Sequence, residues 1–162
     1  MQDPMSTPGE KGRDADTPDK VRVVARLSSE YVLRALRLLG DLQGGDILAG
    51  IISQAIVAAN TAHLDLGAGR SNYAGVDDTP PDELRKPISV LALSGSLGLP
   101  FETTRRYVNK LLKSGRCKRV KGGLIVPASM LNDSAWIAAG QANLINVRRL
   151  MRNLRSAGVA AE

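Results

Sequence analysis

A three-residue interruption at residues 98–100, Gly-Leu-Pro, separates two stretches with helical periodicity and constrains the fold more than any other feature. Before it, apolar side chains at a three- and four-residue spacing share one face of a short helix: Val90, Leu93 and Leu97. Ser89 is placed to cap that helix at its N-terminus. The glycine can end it in the left-handed conformation, and the proline can open the helix that follows. The pattern predicts a helix-turn-helix.

The second helix is predicted over residues 101–114, with Gly115 as its end. At about 100° per residue, Thr104, Val108 and Leu111 share one side, which we expect to face the core. The opposite side and its shoulders are polar throughout: Glu102, Thr103, Arg105, Arg106, Asn109, Lys110 and Lys113. Because Arg pairs bidentately with guanine and Asn with adenine, this side carries donors suited to base edges.

Positive charge is concentrated in this helix and the segment after it. Residues 101–121 hold eight basic side chains and one acidic one, a net of +7, whereas the whole chain nets +6. Such a concentration favours a polyanionic partner, because each neutralised phosphate releases counterions. A solvated basic face without a partner is the alternative.

A β-hairpin is predicted over residues 116–126, where two short β-prone runs flank Gly122 and Gly123. Its tip carries the charge of Lys118, Arg119 and Lys121. We therefore expect the tip to lie along a DNA backbone beside the groove that holds the helix.

Together these features resemble the winged helix-turn-helix domain of bacterial transcription regulators, with the GntR, IclR and MarR groups as the nearest likenesses. The residues that carry the resemblance are Leu97-Gly98-Leu99-Pro100, Thr103-Thr104-Arg105-Arg106-Tyr107-Val108 and Leu111-Leu112-Lys113-Ser114-Gly115. The match covers residues 88–127 and departs from the usual pattern at Pro100, where a Ser cap is common. It implies a mainly α fold with a small β-hairpin wing and flanking N- and C-terminal helices. It also implies a homodimer that binds double-stranded DNA and regulates transcription.

Helix and hairpin together supply the residues expected to contact DNA, the helix in the major groove and the wing on the backbone. They are Ser89, Glu102, Thr103, Arg105, Arg106, Asn109, Lys110, Lys113, Lys118, Arg119, Lys121 and Gly122. Glu102 has two interpretations: it complements the positive end of the helix dipole, or it accepts a hydrogen bond from cytosine.

Before this domain the sequence predicts a disordered tail over residues 1–27, of which residues 1–4 resemble an expression-derived remnant. A helical pair is expected over residues 28–63. Ser28 or Ser29 would cap the first helix, and the second would run from about position 46 to position 62. This second helix is apolar on most of its circumference, which predicts burial. A membrane span is the rival interpretation, but the stretch is short and is interrupted by polar residues.

Residues 64–87 are rich in Gly, Asp and Pro and predict a long loop. Residues 128–156 predict one long helix, or a short helix feeding a longer one, before a flexible end at 157–162. An apolar stripe near a 3.5-residue spacing is expected to mediate dimerisation: Trp136, Leu144, Val147, Leu150, Met151 and Leu154. Packing within the same chain is the alternative.

Catalysis is not expected, because no acid–base or nucleophile constellation can be named. Cys117 is the only cysteine and His63 the only histidine, which excludes an intrachain disulfide, a Cys–His dyad and a His-based metal cluster. No cofactor is expected, and one cysteine suits a reducing cytoplasm. With basic neighbours, Cys117 is either a redox sensor or a small buried hydrophobe.

The sequence leaves two alternative functions open beside transcription regulation. A replication, partition or nucleoid-type DNA-binding protein would use the same fold, and so would a winged-helix protein-interaction module. The operator, the direction of regulation and any small-molecule effector are not identified by the sequence.

Overall fold

Six helices and a two-stranded antiparallel sheet make up residues 20–64, 73, 75 and 78–159, which are those described in this computed structural model. In chain order they are α1 (Val21–Asp41), α2 (Ile47–Thr61), α3 (Val90–Leu97), α4 (Phe101–Lys113), β1 (Lys118–Val120), β2 (Gly123–Ile125), α5 (Ala128–Leu131) and α6 (Ser134–Ser156). A 3-10 turn, Asp82–Leu84, precedes α3. The expected class, mainly α with a small β-hairpin, is confirmed. The expected remnant, the first 19 residues of the tail, most of the central loop and the last three residues lie outside the described residues.

The first helix begins earlier than the sequence suggested. α1 starts at Val21, so the prediction of disorder through residue 27 is wrong for its last seven residues, and Ser28 lies inside the helix. Leu27 is buried, and the Lys20 ammonium donates to the carbonyl of Gly158 beyond the end of α6. These tertiary contacts outweigh the weak helix propensity of the two serines.

α2 is the central helix. The Asp46 carboxylate caps it by accepting from the backbone N–H of Ala49 at 3.0 Å, and Ile52 and Ile56 are fully buried. On its other side α1 crosses at Gly50, where an added Cβ would lie 2.3 Å from the carbonyl oxygen of Leu39. Only glycine permits this backbone approach. Over the described ranges, no helix combines the length and the apolar character needed to cross a bilayer.

The two helices predicted on either side of the Gly-Leu-Pro interruption are present as α3 and α4. Ser89 Oγ accepts from the N–H of Ala92 at 3.1 Å, and Gly98 ends α3 in the left-handed region with φ of 63°. α4 follows directly after Pro100 and ends at Lys113, within one residue of the predicted boundary. The predicted core side of α4 is confirmed, because its members are all buried: Thr104, Val108 and Leu111.

The hairpin is shorter than the predicted range of residues 116–126. Lys118 pairs with Ile125, and Val120 pairs with Gly123, so the turn consists of Lys121 and Gly122 rather than the two glycines. Gly123 lies in β2, and a Cβ there would be 2.4 Å from the carbonyl oxygen of Ile88. This close approach arises because Ile88 pairs with Leu124 as an isolated bridge, which ties the start of α3 to the sheet.

Asn60, near the C-terminal end of α2, is fully buried and makes three hydrogen bonds. Its Nδ2 donates to the carbonyls of Lys86 at 2.8 Å and Leu124 at 3.1 Å, and its Oδ1 accepts from the N–H of Val126 at 3.0 Å. The residue that interrupts the apolar pattern of α2 therefore joins α2 to the hairpin and to the segment before α3.

α6 packs along α1, with Tyr31 Oη donating to Asn143 Oδ1 at 3.4 Å. No residue of α6 is fully buried. Four residues of the predicted dimerisation stripe are half-buried: Trp136, Val147, Leu150 and Leu154. The other two, Leu144 and Met151, are 49% and 43% exposed. The stripe is thus divided between an intramolecular face and an exposed flank.

We expect Asn60→Ala to lower the free energy of unfolding by about 1–3 kcal/mol, because the buried Val126 amide would lose its hydrogen-bond partner and the carbonyls of Leu124 and Lys86 would each lose a donor. The same substitution at exposed Asn109 should change it by less than about 0.5 kcal/mol. Urea titration followed by circular dichroism measures both. Equal losses in the two variants would contradict the role given to the Asn60 amide.

Candidate nucleic-acid interface

An open depression of about 510 Å³ runs along the exposed side of α4. Seven side chains line it, all from this helix and all predicted as site residues: Glu102, Thr103, Arg105, Arg106, Asn109, Lys110 and Lys113. Because a single helix supplies the whole lining, this is a polar surface open to a large partner rather than an enclosed cavity.

The opposite side of α4 is anchored in the core, so these polar side chains stand on a fixed support. Val108 is fully buried and Leu111 nearly so. Thr104 Oγ1 donates to the carbonyl of Pro100 at 3.2 Å, which satisfies the one polar group on the buried side. Side chains on a packed helix vary less in position than side chains on a loop.

Glu102 already has a partner within the helix. Arg105 donates to Glu102 Oε2 through Nε at 3.0 Å and through Nη2 at 2.6 Å. Both side chains are more than half exposed, so the pair adds little to stability. To bind a phosphate or a base, Arg105 must therefore break its ion pair with Glu102.

Arg106 and Asn109 are exposed and carry no acidic partner among the described residues. The Arg106 guanidinium lies 5.5 Å from the centre of the Tyr107 ring, and the Lys110 ammonium lies 5.0 Å from the same centre. A ring between two cations holds both side chains against the helix through cation–π attraction. The Arg106 donors thus remain available to an external acceptor.

Lys110 is paired with an acid from outside its helix. Its Nζ lies 2.8 Å from Asp46 Oδ2, and the same carboxylate caps α2. The hydrogen bond from Lys110, with that from the Ala49 amide, holds the pKa of Asp46 below its usual range. The same hydrogen bond raises the pKa of Lys110. Asp46 is therefore ionised at neutral pH and brings a negative charge to the edge of a positive surface.

A second acid pairs with the hairpin. Lys118 Nζ lies 2.5 Å from Asp82 Oδ2, and Asp82 Oδ1 accepts from the Ala128 amide at 2.7 Å. Partial burial would raise the pKa of Asp82, but the Lys118 ammonium and this amide outweigh it and hold the pKa low. Arg119 and Lys121 are exposed and have no acidic partner in the described part of the chain.

The two small residues of the predicted site have backbone roles. Gly122 has φ of 96° at the hairpin tip, a conformation that favours glycine. The Ser89 hydroxyl is exposed and uses its oxygen as a helix cap, which leaves its proton free to be donated.

Arg116, one of the eight basic residues of the segment, points inward. It donates to the carbonyl of Leu42 and to Gln43 Oε1, the latter at 3.0 Å. Half-buried, it joins the start of the hairpin segment to the turn between α1 and α2. Sequence reasoning missed this role and that of Asp46, because both partners lie more than 60 residues away along the chain.

Cys117 is 2% exposed and belongs to the core. Burial raises the pKa of its thiol to about 11, against a smaller opposing effect of Arg119. The thiol is therefore protonated at neutral pH. The structure favours the small buried hydrophobe over the redox sensor.

Comparison with protein-family models gave no match for this chain. No characterised protein and no solved structure proved detectably similar to it.

Proposed function

We propose that this chain is a winged helix-turn-helix protein that binds specific sequences of double-stranded DNA and regulates transcription as a homodimer. One observation carries the proposal: α4 is buried along one side and exposes basic, amide and hydroxyl groups, with one carboxylate at Glu102, along the other. A helix of this width fits the major groove, which is about 12 Å wide. The basic hairpin that follows α4 extends the positive surface along the backbone.

In the proposed complex, the role of each side chain follows from whether it is already paired with an acid among the described residues. Arg106 and Asn109 read base edges, since neither is engaged by an acid among the described residues. Thr103 and Arg105 contact bases or flanking phosphates. The phosphate contacts come from α4, from the hairpin and from the cap of α3: Lys110, Lys113, Lys118, Arg119, Lys121, Gly122 and Ser89. No cofactor or catalytic step enters this function.

The homodimer is proposed to form on the flank of the α1–α6 pair. Leu144 and Met151 are exposed two turns apart on α6, and Leu33 on α1 is 68% exposed. Exposed apolar side chains of this size, on long helices with few buried residues, are typical of an interface between subunits. A twofold dimer would present two copies of α4 to successive major-groove half-sites.

Arg106→Ala is expected to weaken binding to a selected duplex by about 1–3 kcal/mol and to relax the sequence preference, because a bidentate base contact is lost. Arg37→Ala, on an exposed face of α1, removes the same charge and should have little effect. The duplex is first selected from fragmented genomic DNA at physiological salt, and affinities are then measured by fluorescence anisotropy.

The selection also separates the proposed regulator from its alternatives. A few inverted-repeat sites support the proposal, whereas origin-clustered or uniform recovery indicates a replication or nucleoid role. The absence of salt-sensitive DNA binding would indicate a protein-interaction module. If Arg106→Ala leaves both affinity and preference unchanged, the docking of α4 is wrong.

Asp46→Asn is expected to tighten DNA binding about fivefold at low salt, because it frees Lys110 and removes a negative charge close to the phosphates, an effect of about 1 kcal/mol. Asn caps a helix as well as Asp does, so α2 should be preserved. Asp41→Asn is the matched control, since it changes the net charge equally on α1 without contacting α4. If Asp46→Asn and Asp41→Asn tighten DNA binding equally, net charge alone would explain the effect.

Leu144→Arg is expected to weaken self-association at least tenfold by placing a charge in the proposed apolar interface. Sedimentation velocity over a range of protein concentrations measures this. Leu91→Arg, at a 70% exposed position of α3, controls for the added charge. An unchanged sedimentation profile for Leu144→Arg relative to the parent chain would place the interface elsewhere.

A further inference from the structure

A second cavity, of about 320 Å³, lies away from the basic surface, between α1, α2 and α6. Its aromatic and polar lining comes from all three helices: Tyr31, Gln54, Trp136 and Asn143. Leu38 and Leu42 lie on the α1 side. Among the described residues, no charged side chain lines it.

The cavity exists because the three helices pack closely at one end and more loosely farther along α1. α1 and α2 touch backbone to backbone at Gly50 and Leu39. Farther along α1, Tyr31 Oη reaches Asn143 Oδ1 only at 3.4 Å, longer than a normal hydroxyl hydrogen bond. At Gly140, an added Cβ would meet nothing within 4 Å. Small residues on α6 leave space here that no described side chain fills.

We propose that this cavity is a binding site for a small, uncharged aromatic molecule. Its volume lies at the lower end of the range for ligand pockets, which suits a molecule of two or three rings. A charged ligand is disfavoured, because no lining group would compensate for its desolvation. The Trp136 indole offers a stacking face, and the Gln54 side chain makes no hydrogen bond to another described residue and is available to a polar edge.

The chemistry favours a small ligand over a second copy of the chain at this place. Three helices of one chain line the cavity, which opens to solvent beside the exposed residues Gln54 and Gly140, so a small molecule can enter it. Leu144, which belongs to the proposed dimer flank, is turned from Asn143 by about 100° around α6 but from Gly140 by only about 40°. The cavity therefore borders the flank, and the site does not depend on the proposed DNA binding.

Trp136 is the only tryptophan of the chain and lines this cavity, so its fluorescence reports on a probe bound there. Trp136 and Gly140 also line a neighbouring depression of about 280 Å³, whereas Ala35 lines this cavity and not that one. The test is a titration of the full chain with N-phenyl-1-naphthylamine, an uncharged aromatic probe that accepts energy from tryptophan. We expect saturable energy transfer with one probe bound per chain. Gly140→Leu should weaken binding at least tenfold by filling the cavity. Gly95→Leu, the same substitution at an open position of α3, should leave it unchanged.

Ala35→Leu enters the same cavity from α1 and should reproduce the loss, which keeps the test valid if Gly140→Leu folds poorly. Circular dichroism and thermal unfolding establish that each variant is folded. Energy transfer that does not saturate, or equal binding by folded cavity-filling variants, would overturn the proposal. So would probe binding that falls as the protein concentration rises, since a second copy would then occupy the site.

Discussion

The buried amide of Asn60 is the contact on which the arrangement of the candidate interface depends. It joins the central helix α2 to β2 and to Lys86, just before α3. Because β2 also pairs with Ile88, the hairpin and the N-terminus of α3 are held at one place on α2. α4 packs against the same core through Val108 and Leu111. A single residue at the end of α2 thereby fixes the hairpin and the start of α3 to the core on which α4 also packs, and an apolar residue could not replace it without leaving the buried Val126 amide unpaired.

The fold also changes the electrostatics of the basic segment, residues 101–121. Three carboxylates, those of Glu102, Asp46 and Asp82, engage Arg105, Lys110 and Lys118, and Arg116 points inward. Since Glu102 is already counted in the +7 of the segment, the two carboxylates from outside it, those of Asp46 and Asp82, offset two of these charges. Binding a polyanion through these three cations exchanges one ion pair for another and gains little. The cations without an acidic partner in the described residues, including Arg106, Lys113 and Lys121, would supply most of the net attraction.

Prediction from sequence succeeded where the determining interactions are local. The cap at Ser89, the left-handed Gly98, the start of α4 and its buried side all follow from contacts within about four residues along the chain. It failed at the first turn of α1, which Leu27 and the end of α6 stabilise, and at Gly123, which is needed for an approach to Ile88. Cys117 was left between two interpretations until its burial was known. Which residues of the α6 stripe are half-buried and which are exposed depends on the position of α1, so the sequence alone could not predict it.

The sequence by itself determined the two helices α3 and α4 with the short turn between them, the basic hairpin and the polar side of α4, because helix caps, turn glycines and helical periodicity are encoded in neighbouring residues. Only the tertiary structure decided which cations are paired, which amide holds the core and where space is left unfilled. Asn60 and Val126 are 66 residues apart, and Lys110 and Asp46 are 64 apart. Such contacts depend on how the helices pack, and a local pattern of residue types does not predict that packing.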